Sequence, residues 1–300
     1  MKLNGRRMSD NINDRRGEGL PGGGGNGMGL LGLVGLLGGG RKRLLIVAAV
    51  IVFALVTQGP EALTQMLGVT DGQQQRTEYK ATAEEQELYN FAGQILAGTE
   101  DVWTEIFRQQ GKTYVPPKLV IFTDAVRSGC GSATSSTGPF YCSADQTVYL
   151  DLSFFTGMKR NIGADGDFAY AYVIAHEVGH HVQYLLGDLD RIHTQMESVG
   201  EKERNQLSVR LELQADFYAG VWAYHDNKMF GSLEDGDIEE GLNAAQKIGD
   251  DYLQKKARGY TVPETFNHGT SAQRSKWLKL GAHTGDLARA NTFTQPYSEL

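Results

Sequence analysis

Between residues 83 and 110 the apolar positions Leu88, Phe91, Ile95, Leu96, Trp103, Ile106 and Phe107 fall largely on one stripe at the helical period. Gly111 follows where a C-terminal cap would stand. Residues 118–126 (KLVIFTDAV) are β-branched and apolar and predict a strand. Residues 138–155 read as a hairpin with its turn at 143–146 and a second strand, TVYLDLSFF, over 147–155. Helical patterning then returns over 167–186, 208–225 and 239–256, and Thr270 or Ser271 could cap a further helix running through Trp277 and Leu280. No internal repeat is present. The order of helix, strands, then helices predicts an α+β domain, a small sheet packed beside a helical core.

One stretch has no polar stripe at all. Residues 44–56 (LLIVAAVIVFALV) form an unbroken apolar run directly after Arg41-Lys42-Arg43. The run is shorter than the roughly 20 residues a full span prefers. However, a core helix would show polar residues at period 3.6, and a cleavable signal would start nearer Met1 and end in a small-x-small site. The expectation is a transmembrane anchor over 44–67, with a linker over 68–82 and the metal-binding domain over 83–300. Residues 1–43 carry a net charge of +5 and the remainder −12, within a total of −7. The positive-inside rule then puts 1–43 in the cytoplasm as a flexible, glycine-rich basic arm, and the domain beyond the outer face of a cytoplasmic membrane crossed once. The acidic body excludes a nucleic-acid partner, which needs clustered Lys and Arg.

Cys130 and Cys142 are the only cysteines and bracket a Gly/Ser/Thr-rich segment. With no further Cys and no nearby His to complete a metal site, a disulfide in an oxidising compartment is the expected state, contributing about 3 kcal/mol in the chain-entropy model.

The chemistry centres on His176-Glu177-Val178-Gly179-His180, inside the helix predicted over 167–186. Positions four apart share a helix face, so His176 and His180 can offer nitrogens to one cation, while Glu177 can reach an adjacent water without being a ligand. The surrounding Phe168, Tyr172, Val173, Ile174, Val178 and Val182 make this a buried helix, in which a polar cluster needs a partner. A catalytic zinc requires a third protein ligand, and Glu212 on the following helix supplies one. Asp216 shares its face and is placed to fix the tautomer of a zinc histidine. Glu197, Glu201, Glu203 and His193 are weaker candidates in a charged, loop-like stretch. His181 points about 100° away from the ligand face, as a packing histidine would.

The chain resembles the bacterial neutral zinc metallopeptidase family of membrane-anchored proteins over nearly its whole length. The resemblance rests on the glycine-rich basic N-terminus and anchor, Asp101-Val102-Trp103, Pro117 to Phe122, Cys130-Gly131, and Gly138-Pro139-Phe140-Tyr141-Cys142. It continues through Val148-Tyr149-Leu150-Asp151, HEVGHHVQ from His176, ELQAD from Glu212, Phe217-Tyr218-Ala219-Gly220, and His268-Gly269-Thr270-Ser271 with Gln273-Arg274. It implies a zincin-type peptidase fold and names no substrate.

The expected activity is hydrolysis of peptide or protein substrates, with Glu177 as general base and His268, or failing it Arg274, stabilising the oxyanion. The strand over 147–151 is expected to be a sheet edge that could hold an extended peptide, or else a core strand. Two other functions compete. A zinc-stabilised envelope scaffold would need four closing ligands and would have no use for Glu177, whereas a cell-wall peptide amidase would use the same residues.

Overall fold

The computed structural model describes residues 1–18 and 79–300. Its first element is β1 (Ile12–Arg15). Helix α1 (Ala83–Gln109) opens on a reciprocal cap: Thr82 Oγ1 accepts from the Glu85 amide, and the Glu85 carboxylate accepts from the Thr82 amide. Strands β2 (Lys118–Phe122), β3 (Ala125–Ser128), β4 (Gly131–Thr134), β5 (Phe140–Cys142) and β6 (Thr147–Asp151) follow. The rest is helical: α2 (Ser153–Ile162), α3 (Asp167–Leu186), α4 (Asp188–Glu197), α5 (Glu201–Phe230), α6 (Asp237–Lys247), α7 (Asp250–Arg258) and α8 (Ser271–Thr284). The α+β expectation stands.

The main sheet has the order β1-β2-β6-β5, with β1, β2 and β6 parallel and β5 antiparallel to β6. Alternation along β2 and β6 divides two cores. Leu119, Ile121, Val148 and Leu150 face the helices, while Val120, Phe122 and Tyr149 face the β3–β4 hairpin with Val126, Ala133 and Cys142. Strand β6 is therefore interior, and of the two readings of residues 147–151 the core strand holds and the edge does not. Their burial on both faces is the pattern of a strand flanked on both sides. The open edge beside the helices is β5. The strand predicted over 147–155 also stops early: Asp151 Oδ1 accepts from the Ser153 amide at 2.9 Å and turns the chain into α2.

Other boundaries shift for local reasons. The predicted helix over 239–256 is two helices, because the chain breaks at Gly249, where a Cβ would lie 2.4 Å from the Ser271 amide nitrogen. The charged stretch holding His193, Glu197, Glu201 and Glu203 is helical, as α4 and the start of α5. The Cys130–Cys142 disulfide is formed, tying the start of the β3–β4 hairpin's second strand to the end of β5.

Residues 1–18, expected as part of a flexible arm, are instead a strand and a charged clamp packed on α1, β2 and α5. Few large apolar residues are needed because charge pairs and ladder bonds hold the segment: Arg6 meets Asp226 at 2.7 Å, and Arg7 meets Glu100 at 2.8 Å. The expected anchor over 44–67, the rest of the arm and most of the linker lie outside the described residues. Among the described residues no helix is long and apolar enough to cross a membrane.

Helices α3, α5 and α8 approach closely enough that glycine is required. A Cβ at Gly179 would lie 2.9 Å from the Ala215 carbonyl, which sets α3 against α5. Gly220 and Gly281 meet where α5 crosses α8, and a Cβ on Gly220 would come within 2.2 Å of the Leu278 carbonyl. Backbone cannot yield as a flexible side chain can, so Gly220→Ala must part the helices. The expected loss is about 2–3 kcal/mol, read as a lower urea midpoint at unchanged slope. A midpoint equal to that of the parent chain would show that the close approach is not structurally required.

Candidate metal centre

Helix α3 is buried almost all round, and its tyrosine, histidines and glutamine at 172, 176, 180 and 183 recur at helical spacing on one face. The Gly179 contact brings α5 close enough for Glu212 to face both imidazoles. His176 Nε2 lies 3.2 Å from Glu212 Oε2, and His180 Nε2 lies 3.4 Å from Glu212 Oε1. One ligand atom from each of the three residues falls within 4.8 Å of the others.

Each imidazole is held from behind. Asp216 Oδ1 accepts from His176 Nδ1 at 2.8 Å and from the Tyr172 hydroxyl at 2.6 Å. Asp216 also accepts from Arg274, at 2.8 Å from Nε and 2.9 Å from the terminal nitrogen. His180 Nδ1 meets Gln183 Oε1 at 2.8 Å. The amide orientation of Gln183 is fixed because its Nε2 donates to the Leu211 carbonyl at 2.7 Å, leaving Oε1 as the acceptor. In their neutral forms both histidines therefore carry the proton on Nδ1 and turn bare Nε2 lone pairs toward a carboxylate. Three electron-rich groups converging in a buried site require a cation between them, and two imidazoles with one carboxylate suit zinc. The residues fit the metal.

In the metal-free chain a proton takes that cation's place. Burial opposes charge on His176, but the carboxylates of Asp216 and Glu212 outweigh it and raise its pKa to about 10. Burial likewise opposes charge on Glu212, yet His180 and His176 hold it well below the usual carboxylate range.

The centre opens into a cleft of about 580 Å³, whose walls include Glu177, His268, the edge strand β5 at Phe140 and Tyr141, and the apolar side chains of Leu189 and Met196. His268 is half exposed there, and Asp250 holds it. Asp250 Oδ1 lies 3.2 Å from His268 Nδ1, while Oδ2 accepts from the amides of Asn267, His268 and Gly269 at 2.7–3.0 Å. This hydrogen bond outweighs burial and raises the pKa of His268.

Of the residues singled out in the sequence, His176, His180, Glu212 and Asp216 come together, and Glu177 and His268 share their cleft. Arg274 also reaches the centre, but it is 3% exposed and its guanidinium is bonded to Asp216, so it braces that carboxylate. His193 lines the cleft, whereas Glu197, Glu201 and Glu203 take no part in the three-residue convergence. His181 is fully buried between the Tyr141 hydroxyl at 2.9 Å and the Val115 carbonyl at 2.7 Å, and burial lowers its pKa to about 4. It fastens β5 to α3. His225 bonds the Gly285 carbonyl. Sequence reasoning missed Gln183, Tyr172's bond to Asp216, and Asp250. The first two sit on the ligand face at readable spacing, whereas Asp250 is brought to His268 only by the fold.

A pH dependence follows from the raised pKa. An unfolded histidine loses its proton near 6.5, but His176 in the metal-free chain keeps its proton to about 10. Its contribution to stability is therefore complete below pH 6.5 and is lost as pH rises through about 10. Chelated protein is expected to lose melting temperature across that window, and zinc-loaded protein to lose markedly less. Parallel curves for the two forms would refute the assignment.

Residues 1–293 match the family described as "Putative neutral zinc metallopeptidase". Among curated proteins the chain is 49% identical to the uncharacterised protein YpfJ of Escherichia coli strain K12 over 293 residues, covering 98% of this chain and 99% of the relative. It is 44% identical to the uncharacterised protein Rv2575 of Mycobacterium tuberculosis strain H37Rv over 191 residues, covering 60% of this chain and 64% of that one. No solved structure matches. With 293 of its 300 residues matched, the chain belongs to that family.

Proposed function

We propose that the protein is a zinc-dependent peptidase of the zincin type that hydrolyses peptide bonds in the cleft between β5 and α3. The observation that carries this reading is the convergence of His176, His180 and Glu212 on one point at the floor of an open cleft, with Glu177 beside them. A structural zinc is ordinarily closed off by four protein ligands, whereas three ligands beside an open volume leave room for water and substrate. This favours catalysis over a zinc-stabilised scaffold.

The residues divide the work by position. His176, His180 and Glu212 would hold the ion, with Asp216, Gln183 and Arg274 fixing their orientation. The chemistry zinc supplies in such a site is acidification of water and polarisation of a carbonyl. Glu177 accepts the proton of the attacking water and returns it to the leaving amine. His268, oriented by the Asp250 hydrogen bond that raises its pKa, faces the cleft as the donor for the oxygen on which charge develops. An extended substrate can add to the side of β5 that is unpaired among the described residues, with main-chain hydrogen bonds supplying affinity and cleft-wall pockets supplying selection. Extracytoplasmic action is consistent with the Cys130–Cys142 disulfide.

The zinc-loaded full chain and its Glu177→Gln variant, incubated with a diverse peptide library and read by mass spectrometry, test the reading. Cleavage is expected to fall by roughly 10²–10⁴ in the variant while zinc content holds. If neither protein cuts peptides though both retain zinc, the peptidase reading fails, and crosslinked cell-wall peptides become the next substrate to try.

His268→Ala is expected to lower kcat by about 10²-fold with little change in KM. Loss confined to KM would make His268 a binding residue and leave the oxyanion to another donor.

A further inference from the structure

The domain has a second built recognition surface, and it is independent of the zinc reading. Two carboxylates are buried in it, and both are satisfied by residues 1–18. Asp226 is fully buried and faces the Arg6 guanidinium at 2.7 and 3.3 Å, with Arg6 stacked 3.8 Å over the Phe230 ring. Glu100 is 7% exposed and receives Arg7 at 2.8 Å, the Ser9 hydroxyl at 2.5 Å and the Asn11 side-chain amide at 2.8 Å. Beyond this clamp the segment becomes β1, in register with β2 from Ile12 opposite Leu119 to Arg15 opposite Phe122.

The surface of α1 is shaped to the same occupant. A Cβ on Gly93 would lie 2.3 Å from Met8 Cε, and one on Gly98 would lie 2.7 Å from an Arg6 guanidinium nitrogen. Two glycines in a helix interior lower its intrinsic stability, so their presence where the segment lies is a feature of the groove. Without the segment, two buried carboxylates would have no cation and β2 would be an open edge.

We propose that this groove is a dedicated binding site for the chain's own residues 1–18, which dock as a resident edge strand in the same compartment as residues 79–300. The N-terminus and the zinc cleft then lie on one side of any membrane the protein meets. The topology expected from Arg41-Lys42-Arg43 puts them on opposite sides. A chain crossing a bilayer once between residues 18 and 79 would separate β1 from β2 by about 30 Å of hydrocarbon. Strand pairing across roughly 4.8 Å and a single crossing are mutually exclusive.

Two measurements on the full chain decide the matter. Single cysteines at the exposed positions Asn4 and Gln110 are labelled with a membrane-impermeant maleimide in intact and permeabilised cells, against the parent chain as background. Matching accessibility at both positions is expected, and opposite accessibility would overturn the proposal. Hydrogen exchange on the purified parent chain supplies the second readout. The slowest amides of Ile12–Arg15 should exchange roughly 100-fold more slowly than in a free peptide of that sequence. Asp226→Ala should return them toward free-peptide rates while leaving α3 protected. Free-peptide exchange of these amides in the parent chain would mean that the groove does not hold them.

Discussion

Everything around the metal centre depends on keeping one carboxylate charged and dry. Asp216 is completely buried, a condition that carries a large desolvation penalty unless the charge is paired and hydrogen-bonded. Three helices answer that demand: α3 supplies His176 and Tyr172, α5 carries Asp216 itself, and α8 supplies Arg274. The glycine contacts at 179, 220 and 281 let the three backbones come close enough for these short side chains to meet. The same interaction that balances a buried charge thus fixes how the helices cross, and their crossing puts Glu212 opposite two imidazoles. Fold and site are here one energetic problem.

The consequence for the site is directional. A neutral histidine with its proton committed to Asp216, or to the anchored oxygen of Gln183, turns a lone pair toward the centre. The cation preference is therefore imposed from behind the ligands. Glu177 carries no such support, whereas His268 has its own in Asp250, and both face the open cleft. The metal-facing histidines are braced by the two helices that cross there, and His268 by a separate carboxylate outside them.

How much of this the sequence carried depended on whether a contact was local or assembled. Helices α3 and α5 and their four metal-centre residues were legible because spacing of four within a helix maps directly onto a shared face. Gln183 was equally readable at three beyond His180, but amide side chains carry no motif that flags them. The sequence leaves strand β6 open between edge and core, because composition marks a strand but not its neighbours; its pairing with both β2 and β5 decides for the core. Residues 1–18 were illegible for another reason. Their stabilisation lies in pairs such as Arg6–Asp226, 220 residues apart, and local hydropathy registers only a polar, glycine-rich tail. Asp250 and His268 belong to the same class, joined by a loop and a helix break at Gly249.

The pairing of β1 with β2 also orders the life of the nascent chain. Leu119, which opens the strand register of residues 1–18, lies about a hundred residues further along the chain, and Asp226 a further hundred after that. Loop closure on that scale is slow compared with local helix formation, and domains assemble as their parts leave the ribosome. The segment therefore has no partner strand until β2 has emerged, and Arg6 has no buried carboxylate until α5 has. The sheet needs nothing beyond Asp151, whereas the Arg6 clamp waits for Asp226, so strand pairing can come before the charge pairing that locks it.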